Sequence, residues 1–189
     1  MKIIANGFPK AGGHALKKGL ELLGHPVIFN HYPFPSDIPR DAKHIIIFRN
    51  PRNCLISMVR WLGKPLTTGT IISTLRDYHN NQSMAKTLSQ YIPWKQPSQM
   101  LDEGDSWLDV PLCVNYENLM MSDAALRHIA TYLETPFYED AFKNLPGLTA
   151  TWSGKPSKWK DHWNDEIDKV WTSEGMDKLE QAIGYGTGD

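Results

Sequence analysis

Lys10, Arg49 and Ser57 are the side chains whose types and spacing best suit the binding of an anion. Lys10 lies in the stretch GFPKAGGHAL, Gly7 to Leu16, directly after the apolar run Ile3-Ile4-Ala5. A glycine-rich turn between a first strand and a first helix points backbone N–H groups at an anion, and the helix adds the positive end of its dipole. Lys10 adds a full charge. Pro9, Lys10, Ala11, Gly12, Gly13 and His14 are therefore candidate phosphate-cradling residues. A tight strand-to-helix turn with a solvated lysine fits the same residues, and the loop alone leaves both readings open. The second signal is FRNPRNCLIS, Phe48 to Ser57. An arginine at a strand end and a hydroxyl about two turns along the next helix can grip one phosphate from two sides. Ser57 taken alone fits an ordinary helix serine as well.

The first loop departs from the magnesium-triphosphate pattern, which needs Gly, four residues, Gly, then Lys and Ser/Thr. Gly7 and Gly12 keep that spacing, but Gly13 and His14 stand where Lys and Ser/Thr belong, and the lysine has moved inside the loop. A usual magnesium-binding hydroxyl is missing. The expectation is a loop that holds a phosphate-like group without a metal.

The elements that must position these residues read as follows. Ile3 to Phe8 is a short buried strand, and Gly12 to Leu23 a helix with Leu16, Leu20 and Leu23 at helical spacing and Gly24 as its stop. Val27 to Tyr32 is a second strand, ended by Pro33 and Pro35. His44 to Arg49 holds Ile45-Ile46-Ile47-Phe48, a continuous apolar run that fits the centre of a parallel sheet. Pro51 then opens a helix to about Leu62. This order predicts an α/β protein, a three-layer P-loop-like fold with a central, mainly parallel sheet flanked by helices. Such sheets bind ligands at the carboxyl ends of their strands, where Lys10, His31 and Arg49 fall.

Downstream, Lys64 to Trp107 is polar, contains Pro65, Pro93 and Pro97, and reads as a helical insert or cap within one domain spanning residues 1–189. Pro111 to Tyr116 restores a strand, and Ser122 to Leu133 is a helix with Ser122 as N-cap. Asn144 to Lys158 reads as a loop, and Ser173 to Ile183 as a closing helix with Glu174 in its first turn.

Composition narrows the partners. With 189 residues, 41% hydrophobic and a net charge of −1, the chain has no global field that steers it to nucleic acid or an anionic membrane. No apolar run approaches the roughly 20 residues of a membrane span, and no signal peptide opens the chain, so a cytoplasmic location is expected. The two cysteines, Cys54 and Cys113, sit in apolar neighbourhoods and read as buried thiols.

Taken together, the motifs resemble those of the sulfotransferases that use 3′-phosphoadenosine 5′-phosphosulfate (PAPS). That family's first loop reads like YPKSGTTWL, and here it reads FPKAGGHAL. Its 3′-phosphate motif reads like RNPKDVLVSYY, and here it reads RNPRNCLISMV, with the Arg-to-Ser spacing kept. A strand ending in a motif like KTHLP, which carries the family's catalytic histidine, is echoed by FNHYP, Phe29 to Pro33. A late strand ending YED is echoed by NYENL, Asn115 to Leu119, and the G–x4–W–K element by SGKPSKWKDHW, Ser153 to Trp163. The resemblance spans Ile3 to Trp163 except the middle segment. Departures are visible. Ser-Gly-Thr-Thr has become Ala11-Gly12-Gly13-His14, which removes two hydroxyl contacts. Ala15 replaces an aromatic that often stacks on adenine, and Trp152 and Ser153 replace a basic pair.

The resemblance implies transfer of a sulfuryl group from PAPS, leaving PAP, to a hydroxyl or amine of a small-molecule or carbohydrate acceptor, with no metal required. It assigns Lys10 to neutralising the bridging oxygen and His31 to general-base duty, with His14 as the rival base. Arg49 and Ser57 would hold the 3′-phosphate. Tyr116 would touch adenine or pack at its strand end, Gly154 would allow close backbone approach, and Lys155 or Lys158 would reach the 3′-phosphate. Glu117 reads as fixing local structure, and Trp159 and Trp163 as packing that closes the C-terminal segment over the site. Asp161 and the acidic residues after it read as solvated surface. Tyr78, His79, Tyr91, Trp94 and Trp107 suit a sugar or phenolic acceptor and also an ordinary helical cap. The chain is short for this family, which implies an acceptor pocket that is open or completed by a second copy. Two other readings stay open: a non-catalytic PAP or PAPS binder, and a P-loop nucleotide kinase.

Overall fold

Residues 2–32, 41–95, 110–138 and 159–186 are described by the computed structural model. Ile3–Gly7 (β1), Phe29–Asn30 (β2), Lys43–Phe48 (β3) and Leu112–Asn115 (β4) form one sheet in the order β2-β1-β3-β4. Every pairing is parallel, with Ala5 opposite Phe29, Gly7 opposite Ile47, and Phe48 opposite Asn115. Helices flank the sheet, as the α/β expectation requires. Ile45, Ile46, Ile47 and Phe48 are fully buried, because β3 lies between β1 and β4 with helices over its faces.

Gly13–Leu22 (α1) follows β1 and buries Ala15, Leu16, Gly19 and Leu20. A Cβ on Gly19 would stand 2.8 Å from Leu126 Cδ2, so glycine lets α1 approach Ala124–Tyr132 (α6) closely. Pro51–Trp61 (α2) follows β3 with Pro51 in its first turn, and the Asn50 side chain caps it by accepting the Asn53 N–H at 3.2 Å. Thr68–Arg76 (α3) and Met84–Ser89 (α4) come next, then a short 3-10 helix, Ile92–Lys95. These insert elements bury Ile71, Leu75, Met84, Leu88, Tyr91 and Trp94 in the common core.

Three boundaries differ from the sequence reading. The second strand is only Phe29–Asn30, because at Tyr32 the buried Asn6 side chain replaces the sheet ladder. Asn6 accepts the Tyr32 N–H and donates to the Tyr32 carbonyl, each at 2.9 Å. Ser122 is not an N-cap. It ends a helix the sequence reading lacked, Tyr116–Met121 (α5), and α6 starts after Asp123. The closing helix expected over Ser173 to Ile183 starts later, as Met176–Ala182 (α8), and a helix the sequence reading lacked, Asp165–Ser173 (α7), precedes it, with Gly175 at φ 73 between them. Glu174 therefore caps the C-terminus of α7 rather than lying in a first turn.

Arg52 ties α2 to this C-terminal pair. Its guanidinium meets Glu180 at 3.2 Å, Asp168 at 3.0 Å and Asp177 at 3.5 Å. The rings of Trp159, Trp163 and Trp171 surround it with centroids 4.7, 4.8 and 5.1 Å away. Asp168, expected as plain solvated surface, also accepts the Trp163 indole N–H at 3.0 Å. Cys54 is buried, Cys113 is half-buried and both are free thiols, with burial pushing them up to about 12 and about 11. Among the described residues, no helix is long and apolar enough to cross a membrane.

Candidate functional site

Each strand of the sheet hands its next residues to one place. Past the ends of β1, β2, β3 and β4 come Lys10, His31, Arg49 and Tyr116, and all four line a single cleft of about 360 Å³. Pro9, Gly12, Gly13, His14, Ala15 and Ser57 line it too. Ala11 does not. Its methyl turns into the core while its N–H closes the turn onto the Phe8 carbonyl at 3.0 Å. Gly154, Lys155, Lys158 and Trp107 lie outside the described residues.

The loop after β1 is held from several sides. The buried Tyr78 hydroxyl donates to the Pro9 carbonyl at 2.7 Å, and Arg49 Nη1 donates to the Lys10 carbonyl at 3.3 Å. Lys10 itself takes a left-handed backbone, φ 67. Gly12 is required on two counts: its φ is 105, and a Cβ there would stand 2.2 Å from Tyr116 Cδ2. Gly13 is required by Phe29, whose ring would lie 2.5 Å from an added Cβ. No side chain caps α1 at Gly12, and no acidic residue sits in its first turn. The Ala15 N–H is taken by the Gly12 carbonyl at 2.9 Å, so the uncapped amides at this positive dipole end are those of Gly13 and His14.

Charge in the cleft is one-sided. The Lys10 ammonium lies 5.3 Å from the Trp61 ring centroid. Burial, and then the Arg49 charge beside it, hold Lys10 below the ordinary lysine range. The described lining includes no Asp or Glu. An anion entering the cleft meets two cations, uncapped helix amides and the Ser57 hydroxyl.

Arg49 is buried, with its guanidinium 4.4 Å from the Tyr116 ring centroid. The turn that carries it is pinned by Glu117, which accepts the Asn50 N–H at 3.1 Å and the Tyr185 hydroxyl at 2.6 Å. Tyr116 is a packed strand-end tyrosine, 8% exposed, and burial pushes its phenol up.

His31 is exposed at the end of β2 and its Nδ1 lies 2.8 Å from the Gly7 carbonyl. A carbonyl only accepts, so this contact assigns the proton to Nδ1 and leaves Nε2 to receive one. Asn6 grips Tyr32 on both backbone atoms and so fixes the segment that carries His31. His14 is exposed at the same cleft.

Sequence reasoning did not assign Trp61, Met58, Phe29 or Asn6 to the site. Trp61, 66% exposed, lies one turn beyond Ser57 on α2, so an i, i+4 reading from Ser57 reaches it. Asn6 carries a signal of its own, a polar residue inside an apolar strand. His79, one of the insert residues expected on the acceptor side, does line the cleft. It arrives from the turn between α3 and α4, with its ring centroid 6.1 Å from that of His31, and burial and then His31 hold it below the ordinary histidine value. Tyr78, Tyr91 and Trp94 are buried and do not line the cleft.

Among the described residues, no group of three or more His, Cys, Asp or Glu side chains is arranged to hold a metal ion. No protein-family model matches this chain, and no curated protein matches it significantly.

Proposed function

We propose that this chain is a PAPS-dependent sulfotransferase acting on a hydroxyl of a small molecule or carbohydrate. One observation carries the reading. Lys10 and Arg49 leave different strand ends and face one cleft, beside the uncapped start of α1, with no carboxylate in its described lining. The donor set fits a nucleotide with two separate anionic groups, since every charged side chain in that lining is a cation or a histidine. Gly12 and Gly13 supply a backbone path that side chains would block. The cleft volume of about 360 Å³ falls within the usual range for small-molecule sites.

PAPS supplies an activated sulfuryl group when bound. The chain's own residues do the rest. Lys10 and the α1 amides neutralise charge that builds on the bridging oxygen. Arg49 and Ser57 hold the 3′-phosphate and so set the nucleotide's depth. His31 Nε2 receives the acceptor hydroxyl proton, because Nδ1 is engaged by Gly7. Lining up the acceptor oxygen with the leaving group is a matter of positioning. The same reading goes with a cytoplasmic location.

A second reading is a PAP or PAPS binder without transfer activity. The hydroxyls missing at Ala11 and Gly13 and the basic pair missing at Trp152 and Ser153 favour it. A calorimetric titration with PAP, run with and without magnesium, tests the nucleotide assignment. Binding is expected in the low-micromolar range or tighter, about −8 kcal/mol, and unchanged by the metal. Binding that needs magnesium, or ATP preferred over PAP, would overturn it. Labelled PAPS with a panel of hydroxyl acceptors then separates the enzyme from the binder.

A further inference from the structure

Tyr116 packs against both of the groups assigned above to the two ends of the nucleotide, which also meet through the Arg49 Nη1–Lys10 carbonyl hydrogen bond at 3.3 Å. On one side its ring reaches the loop after β1, where only the bare Cα of Gly12 leaves room for Cδ2. The Arg49 guanidinium covers the same ring at 4.4 Å. The next residue, Glu117, fixes the Arg49–Asn50 turn by accepting the Asn50 N–H at 3.1 Å. The start of α5 thus touches both anion-binding segments. The ring is almost completely buried, so it is too enclosed to serve as an adenine platform. An aromatic ring is a stiff spacer with few rotatable bonds, and a packed interior resists gradual deformation.

We infer that Tyr116 is a positioning residue that sets the separation between Arg49 and the Lys10–Gly13 loop, so that the cleft selects its nucleotide by the spacing of the two anionic groups. The inference rests on the nucleotide reading above and deepens it. The favoured ligand is an adenosine carrying phosphates at 3′ and 5′. The 2′,5′ isomer has the same charge and composition but the wrong span.

The test is calorimetry with PAP, its 2′,5′ isomer and adenosine 5′-monophosphate. The wild-type protein is expected to favour PAP over the isomer by ~10-fold or more, as a lost charge-assisted contact predicts. Tyr116→Phe keeps the ring and should keep the preference. Tyr116→Leu should bring the two isomers to within ~3-fold of each other while the monophosphate, which does not reach Arg49, loses less affinity than PAP. A purely structural role would weaken all three ligands together and would not be rescued by phenylalanine. Preference retained in Tyr116→Leu overturns the inference. If that variant does not unfold cooperatively on heating, the wild-type comparison decides: equal affinity for the two isomers overturns it. Failure of the wild-type protein to bind any of the three ligands instead overturns the nucleotide reading, and this inference with it.

Discussion

Lys10 carries its charge in a costly place: half-buried, on a left-handed backbone, beside a second cation. Burial first and Arg49 second favour its neutral form, so the ammonium is lost at a lower pH than in free lysine. Turnover that needs this charge should fall earlier on the alkaline side. Arg49→Gln removes one of the two causes and should move that limb upward in a kcat profile against pH, whereas an unmoved limb would separate Lys10 from the limb. Lys10→Ala should lower kcat by about 10²–10³ with a smaller loss of PAP affinity. His31→Gln should lower kcat by about 10²–10⁴ with a smaller loss of PAP affinity, since the role assigned to it is proton transfer. Full activity in that variant would shift the proton transfer to His14 or His79.

At the level of elements, α2 carries the site on one face and its anchor on the other. Ser57 and Trp61 line the cleft, while Arg52 is sunk among three indoles and three carboxylates of the C-terminal segment. Arg52→Met keeps bulk but strands the buried Glu180 charge, and should cost about 3–5 kcal/mol in denaturant unfolding. Glu180 adds a pH signature. Burial pushes its carboxyl from 4.5 up to about 6 against the pull of Arg52. The folded form therefore binds this proton more tightly than the unfolded one. Its stabilising contribution is present below pH 4.5 and is lost as pH rises towards about 6. The stability difference between wild type and Glu180→Gln, measured across that interval, should move against the wild type as pH rises. A flat difference would mean the carboxyl titrates normally.

For the whole molecule, the parallel sheet was legible because β3 is an unbroken apolar run and β1 leads into a glycine-rich turn. Lys10, His31, Arg49 and Ser57 were legible because the strand ends of such a sheet converge. Other placements depend on long-range packing. His79 joins the cleft only through folding of the insert, and Tyr78 hydrogen-bonds Pro9 across 69 residues. The expected start at Ser173 falls three residues early because Ser173 and Glu174 suit a first turn, whereas here they end α7 and the left-handed Gly175 precedes α8. Ser122 misled because a capping residue type also suits an extended helix exit.

The Arg52 cage has a consequence for biosynthesis. Glu180 follows Arg52 by 128 residues, so a ribosome adding about 5–20 residues per second delivers it roughly ten seconds later. Throughout that interval the nascent polypeptide displays a guanidinium that has yet to meet its acidic partners and its indoles. Final closure of the α2 wall therefore waits until residue 180 has been translated, and a product stalled before it would emerge with its binding cleft still unsupported.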